Sequence, residues 1–236
     1  MADLSSCEIK AIGFIKSDFP TKFGIPRQSG LCKSLTSQIV FEQAYNDENA
    51  FRGIEQFSHL WVIWGFSDSV CEKFSPTVRP PRLGGNERTG VFATRSPFRP
   101  NPLGLSCVKL ERVIKQQDRI VLEISGADMK DGTPVFDVKP YIPYADCISG
   151  AQGGFAQQHS TDRLRVEFAG ELLQKIPEQK RDALIEVLSL DPRPAYQDDT
   201  DRTYGFEFAG FEIKFRVVDN ALIVTRIESL TNLEKK

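Results

Sequence analysis

The chain has 236 residues, 40% hydrophobic and 26% charged, and its 30 basic and 32 acidic side chains leave a formal net charge of −2. Such a length covers between one and two domains and buries ~70% or more of its unfolded surface, and the proportions exclude collagen-like, coiled-coil and wholly disordered chains. With no overall positive charge, any attraction for nucleic acid must be local.

The N-terminus, Met1-Ala2-Asp3-Leu4-Ser5-Ser6, lacks the basic flank and apolar core of a secretory signal. From there to residue 145, short alternating or β-branched runs punctuated by Gly and Pro predict strands. These are Ile9 to Lys16, Gln38 to Gln43, Leu60 to Phe66, Gly90 to Thr94, Leu105 to Val113, Ile120 to Ser125 and Val135 to Val138. One short helix is expected where Asn46-Asp47-Glu48-Asn49 offers capping side chains and Phe51 and Ile54 pair at helical spacing. The longest apolar run, Leu60 to Phe66, is far short of the ~20 residues a membrane helix needs. A cytoplasmic protein with no membrane partner is therefore expected.

Between Ala145 and Thr161 the composition turns to Ser, Gly, Gln and Ala, which reads as a linker or mobile loop. The expected division is residues 1–145, a linker at 146–161, and a second domain at 162–236. In that domain Pro177 suits a helix start, Ala183, Leu184, Val187 and Leu188 make one apolar stripe, and Asp191-Pro192 ends the helix. Strands follow at Tyr204 to Phe208, Phe211 to Val218 and Leu222 to Ile227, joined by Ala209-Gly210 and Asp219-Asn220 as two-residue hairpin connections. The fold class is thus mainly β in the first domain and a small α+β unit in the second.

The five cysteines, Cys7, Cys32, Cys71, Cys107 and Cys147, include no closely spaced pair and read as reduced thiols. His59 and His159 are the only imidazoles, so a multi-histidine metal site is excluded. His59 itself reads as a hydrogen-bonded structural residue, and Trp61 and Trp64 as core or interface aromatics. No Gly-x-Gly-x-x-Gly, phosphate loop, nucleophile elbow or His-Glu-x-x-His pair is present.

In their place stands the segment Pro76 to Pro102, where Arg79, Arg82, Arg88, Arg95 and Arg99 are opposed by Glu87 alone, a local excess of +4. Pro80-Pro81, Gly84-Gly85 and Pro100-Asn101-Pro102 stiffen or free the backbone around them, so a shaped loop is expected over much of its length. A loop needing only solubility has no use for this combination. One that binds an anion or nucleotide needs guanidinium forks and a backbone the ligand can approach.

The stretch Arg79-Pro80-Pro81-Arg82-Leu83-Gly84-Gly85-Asn86, followed by Gly90 to Gly104, closely resembles the signature of the YaeB/TsaA-like family, the TrmO-type tRNA methyltransferases. Pro26-Arg27-Gln28, Phe57 to Trp61, Asp131 to Pro134, Asp137 to Tyr141 and Asp191 to Tyr196 agree with it, so the resemblance spans roughly residues 8 to 228. It implies an S-adenosylmethionine-dependent enzyme, usually a homodimer, whose N-terminal domain is a single-sheet β-barrel unlike the Rossmann methyltransferases. It also implies methylation of N6 of threonylcarbamoyladenosine beside the anticodon of threonine tRNA, and no DNA partner.

The residues that match the family's cofactor site are Pro26, Arg27, Gln28, Phe66, Ser67, Arg95, Leu105, Asp128, Met129, Lys130 and Asp131, with backbone contacts expected at Phe66-Ser67 and Met129-Lys130. Asp137, Asp131 and Asp128 are candidate bases, although Asp131-Gly132 is also an ordinary turn and Asp137 sits in an apparent strand. For RNA the candidates are Arg82, Arg88, Arg99 and Asn101, with Arg193 for phosphate and Tyr196 for stacking. A noncatalytic RNA-binding module of the same fold, or a small-molecule methyltransferase, is the alternative.

Overall fold

The computed structural model describes residues 6–69, 73–80, 87–116, 119–159, 163–193 and 202–233. Six strands make the first unit: β1 (Gly13–Lys16), β2 (Thr36–Phe41), β3 (His59–Gly65), β6 (Leu103–Gln116), β7 (Arg119–Ser125) and β8 (Pro134–Pro140). All neighbours pair antiparallel in the order β1-β2-β7-β6-β3-β8, and β8 returns to β1, closing the barrel. Alternation explains which side chains fill it. Ile15, Ile39, Leu60, Val62, Val108, Leu122, Ile124 and Val135 point inward and are buried, while their sequence neighbours face out.

The antiparallel order has a functional consequence. β1, β3 and β7 all end at one rim, and β2, β6 and β8 all begin there. The loops 17–35, 66–102 and 126–133 therefore emerge together, although they lie far apart in sequence.

Two expectations in this unit need correction. The helix expected around Asn46 is three short 3-10 turns, Gln43–Tyr45, Glu48–Phe51 and Ile54–Gln56. Asp47 does cap the middle one by accepting from the Asn49 amide at 2.8 Å, but Gly53 at φ 87° breaks the run before a helix can form. The strand expected at Gly90 to Thr94 is only β5 (Thr89–Gly90), paired with β4 (Thr77–Val78), and the chain then turns through 3-10 geometry over Val91–Ala93. Val91 is buried and Phe92 exposed, so a turn here separates one anchoring side chain from one left in solvent.

The short α1 (Pro143–Asp146) follows β8 and stays on the barrel, where Asp146 accepts from the Trp61 indole at 3.0 Å. The second unit is a four-stranded sheet in the order β10-β11-β12-β9, from β9 (Arg165–Phe168), β10 (Tyr204–Phe208), β11 (Phe211–Val218) and β12 (Ala221–Ser229), with helix α2 (Glu178–Ser189). β9, which the sequence pattern did not reveal, runs parallel to β12. Pro177 occupies the N-cap of α2, and Ala183, Leu184, Val187 and Leu188 are all buried. Their core is shared. Phe19, Cys32 and Leu35 from the 17–35 loop belong to the same buried cluster as Phe206, Phe208, Phe215 and Leu184. Burial, with Glu186 beside it, pushes the Cys32 thiol up to about 12, so it is an inert packing group.

Candidate functional site

Three rim loops and the inward face of β6 converge on Asp128. Its carboxylate accepts from the Ser106 hydroxyl at 2.5 Å, and the Trp64 indole N–H donates to that same hydroxyl at 2.9 Å. Burial pushes the Asp128 carboxyl above the usual carboxylate range, while Ser106, backbone amides including that of Ser29, and the Arg95 guanidinium all favour its charged form. Arg95 donates to the Gln28 side chain at 2.5 Å. The loops thus bring a guanidinium, an amide and an enclosed carboxylate to one place from positions 28, 95 and 128.

An aromatic wall stands beside them. The Phe66 and Trp64 ring centroids lie 4.3 Å apart, and the Phe66 amide donates to the Pro102 carbonyl at 2.9 Å, fixing where β3 leaves the barrel. Asp68 receives the Lys130 ammonium at 2.7 and 2.8 Å, which holds the Asp68 carboxyl below its ordinary range and ties the second rim loop to the third.

Trp64 can occupy this position because residue 104 has no side chain. A Cβ on Gly104 would lie 2.2 Å from Trp64 Cε2. Gly104→Ala should therefore destabilise the barrel by about 2–3 kcal/mol, roughly 4–12 °C in Tm. Thermal unfolding followed by near-UV circular dichroism checks this, and an unshifted Tm would show that the indole relaxes at no cost.

Other expected site residues are placed differently. Pro26 is buried in the first rim loop, and Arg27 turns toward the second unit, donating to the carbonyls of Asp191 at 3.4 Å and Arg193 at 3.1 Å. Ser67 Oγ reaches Asp68 at 3.5 Å. The Met129 side chain is 2% exposed and packs in the barrel core, so only its backbone can face a ligand. Leu105 is 55% exposed on the outer wall, opposite in alternation to Ser106. It does not share the floor with Asp128.

Neither of the carboxylates favoured as a base stands free at the rim. Asp131 accepts from the Ser17 amide at 2.9 Å while its own amide donates to the Phe19 carbonyl, which staples the first loop to the third. Asp137 accepts from the Val138 amide at 2.9 Å and pairs with Lys139 at 2.7 Å. It lines a groove with Ile12, Phe41 and Phe51, beneath the 3-10 turns of the opposite rim. The strand pattern near Asp137 records this wall position.

Among the RNA candidates, Arg88 donates to Thr77 Oγ1 at 2.9 Å and fastens the β4–β5 pair. Arg99 donates to the Thr94 carbonyl at 3.1 Å, and the Asn101 carbonyl accepts from the Leu103 amide at 2.7 Å. Arg193 forks onto Asp191 at 2.8 Å through both Nε and Nη2. Arg82 and Tyr196 lie outside the described residues. Sequence reasoning missed Ser106 and Ser29. The signal for Ser106 was its parity, since a polar side chain two residues from Gly104 and two from Val108 must share their inward face.

A barrel mouth that gathers opposite charges beside an aromatic wall defines a protein built to hold a small, charged, ring-bearing molecule. The chain belongs to the TrmO family: the tRNA-methyltransferase O N-terminal domain matches residues 14–147 and the TrmO C-terminal domain matches residues 161–230. It is 42% identical over 233 residues to the tRNA (adenine(37)-N6)-methyltransferase of Escherichia coli K12, covering 95% of this chain and 99% of that protein. A protein of the same name from Eikenella corrodens is 44% identical over 172 residues, 72% of this chain and 97% of its own. A crystal structure of TrmO from Pseudomonas aeruginosa superposes with a TM-score of 0.78 at 28% identity, covering 97% of this chain and 100% of that one.

Proposed function

We propose that this chain is a tRNA methyltransferase that moves the methyl group of S-adenosylmethionine to N6 of adenine 37, and that the adenine carries a threonylcarbamoyl group on threonine tRNA. The observation that carries the chemistry is the Arg95, Gln28 and Asp128 constellation at one rim, in a chain whose relatives bear that activity in their names. When bound, the cofactor supplies an electrophilic methyl group on a positively charged sulfur. Arg95 suits its amino-acid carboxylate, Phe66, half-buried against the Trp64 indole, suits a flat ring, and Asp128 suits the positive charge.

What the residues contribute is mainly alignment. Holding donor and acceptor in line is worth as much as ~7–11 kcal/mol, and the rim loops are tied to one another by Asp131 to Ser17 and by Lys130 to Asp68. As the nitrogen–carbon bond formed and the sulfur–carbon bond broke, the acceptor nitrogen would give up its proton to solvent. No base is assigned to Asp137, which sits midway along β8 and pairs with Lys139.

Mass spectrometry of tRNA nucleosides tests the reading: incubation with protein and cofactor should add one methyl group to threonylcarbamoyladenosine. Unchanged nucleosides, together with calorimetry that detects RNA but no cofactor, would favour the noncatalytic module. A homodimer is supported by exposed apolar side chains, Leu103 and Leu105 at the start of β6 and Phe92 and Phe98 in the 66–102 loop. We place this protein in the cytoplasm.

RNA contact through the basic loop gives a separate expectation. Because the chain is net negative, tRNA affinity should fall with salt at a shallow slope, about 0.7 per phosphate contacted on single-stranded RNA. Arg82→Ala should weaken all tRNAs alike and flatten that slope by about 0.7, since phosphate contacts position without reading sequence. An unaltered slope would place the RNA elsewhere.

A further inference from the structure

The barrel interior beneath the rim holds a polar chain that binding alone does not require. Ser106 is buried among apolar side chains on the inward face of β6. Its oxygen already accepts from the Trp64 indole, so its own proton is directed at Asp128 Oδ1, 2.5 Å away. Trp64 in turn is seated on Gly104, where no side chain competes for the space. The hydroxyl therefore has one orientation, and that orientation favours a carboxylate over a carboxylic acid at position 128.

A carboxylate largely withdrawn from water needs a reason to stay charged, and Asp128 is half-buried. The group's surroundings are the Ser29 amide from the first rim loop, the Arg95 guanidinium from the second, Ser106 from β6, and on its own loop Lys130, already paired with Asp68, and Asp131, engaged by Ser17. We propose that Ser106, oriented by Trp64, is a positioning residue that holds Asp128 as a counter-charge for the cofactor's sulfonium, so that the pair distinguishes S-adenosylmethionine from its neutral product, S-adenosylhomocysteine. This rests on the methyltransferase reading above. The two ligands share their carboxylate, ribose and adenine and differ at sulfur by a methyl group and one positive charge. An ionised Asp128 near the sulfur thus favours the substrate form and loses its attraction once transfer has occurred, which promotes product release.

Calorimetric titration of the full chain with each ligand, between pH 5 and 8 in wild type and variants, tests this. Wild-type affinity for S-adenosylmethionine should fall on the acid side, beginning above the ordinary carboxylate range, while affinity for S-adenosylhomocysteine stays flat through the same window. Ser106→Ala should lower S-adenosylmethionine affinity about tenfold at neutral pH, move its acid fall to higher pH, and change S-adenosylhomocysteine affinity little. Ser106→Thr, which keeps the hydroxyl, should restore the difference. Trp64→Phe, which keeps an aromatic side chain but loses the indole N–H, should lower S-adenosylmethionine affinity more than S-adenosylhomocysteine affinity, any loss common to both reporting the packing of the indole itself, and serves if Ser106→Ala does not fold. Equal losses for both ligands, or no loss, in a folded Ser106→Ala overturn the proposal and leave the hydroxyl a packing group. A wild type that binds neither ligand overturns the methyltransferase reading itself, and the proposal with it.

Discussion

Arg95→Ala should weaken S-adenosylmethionine binding by about thirtyfold or more, with loss of methylation following from the empty site. A charge-assisted partner lost from a ligand carboxylate costs ~2–5 kcal/mol when desolvated, and the low end applies because Arg95 is exposed. The guanidinium has two tasks that separate in experiment. One is to meet the carboxylate of the ligand, and the other is to favour the charged form of Asp128, toward which it contributes from the second rim loop. Arg95→Lys keeps the charge and loses the fork, so it should restore the charge discrimination between the two cofactor forms while recovering only part of the affinity. Gln28→Ala, which removes the side chain that receives the 2.5 Å bond, should cost less than Arg95→Ala. Calorimetry with S-adenosylmethionine settles the matter, and an Arg95→Ala protein with wild-type affinity would remove Arg95 from the cofactor site.

How much of this was legible in the sequence depended on the range of the interaction. The hairpins of the second unit follow local rules, and Tyr204–Phe208 and Phe211–Val218 fall where alternation puts them because Ala209 and Gly210, at φ 50° and 82°, supply the left-handed turn that two-residue connections require. Asp219 and Asn220 do the same at φ 48° and 62°. β9 was hidden because four residues that pair in parallel with a strand more than fifty positions later carry no local signal. Site residues divided along the same line. Arg95, Gln28 and Asp128 came from motif resemblance, whereas the reason they meet is the common rim of three strand ends, a property of sheet order. Ser106 was within reach of parity reasoning, but only once β6 was known to turn that face inward. For Asp137 the motif says nothing about its height in the barrel, and only the register of β8 against β3 places it midway along the wall.

The other large effect concerns the segment 146–161, and the structure changes what cutting it should do. Two separately folded units joined by a linker would leave a barrel fragment that still binds cofactor. The 17–35 loop, however, carries Pro26, Arg27 and Gln28 and is packed into the other unit. Phe19 and Leu35 are 0% and 1% exposed there, against Phe206, Phe208 and the α2 stripe. Lys180 pairs with Asp18 at 2.5 Å, the Ala209 amide donates to the Asp18 carbonyl at 2.9 Å, and Glu186 accepts from both the amide and hydroxyl of Ser34 at 3.0 Å. Uncovering Phe19 and Leu35 alone forfeits ~1.5–3 kcal/mol each, a large part of the ~5–15 kcal/mol that holds a domain folded. We therefore expect proteolytic nicking within 146–161 to give two fragments that stay together on gel filtration and still bind S-adenosylmethionine. A chain ending at residue 160 should instead expose the loop, aggregate or lose its order, and bind at least about a hundredfold more weakly, because the loop presenting Gln28 to Arg95 has lost its support. Titration of the shortened chain with S-adenosylmethionine decides between the two architectures. Full affinity in that chain would mean that the barrel holds its own first rim loop, and that the second unit serves the RNA alone.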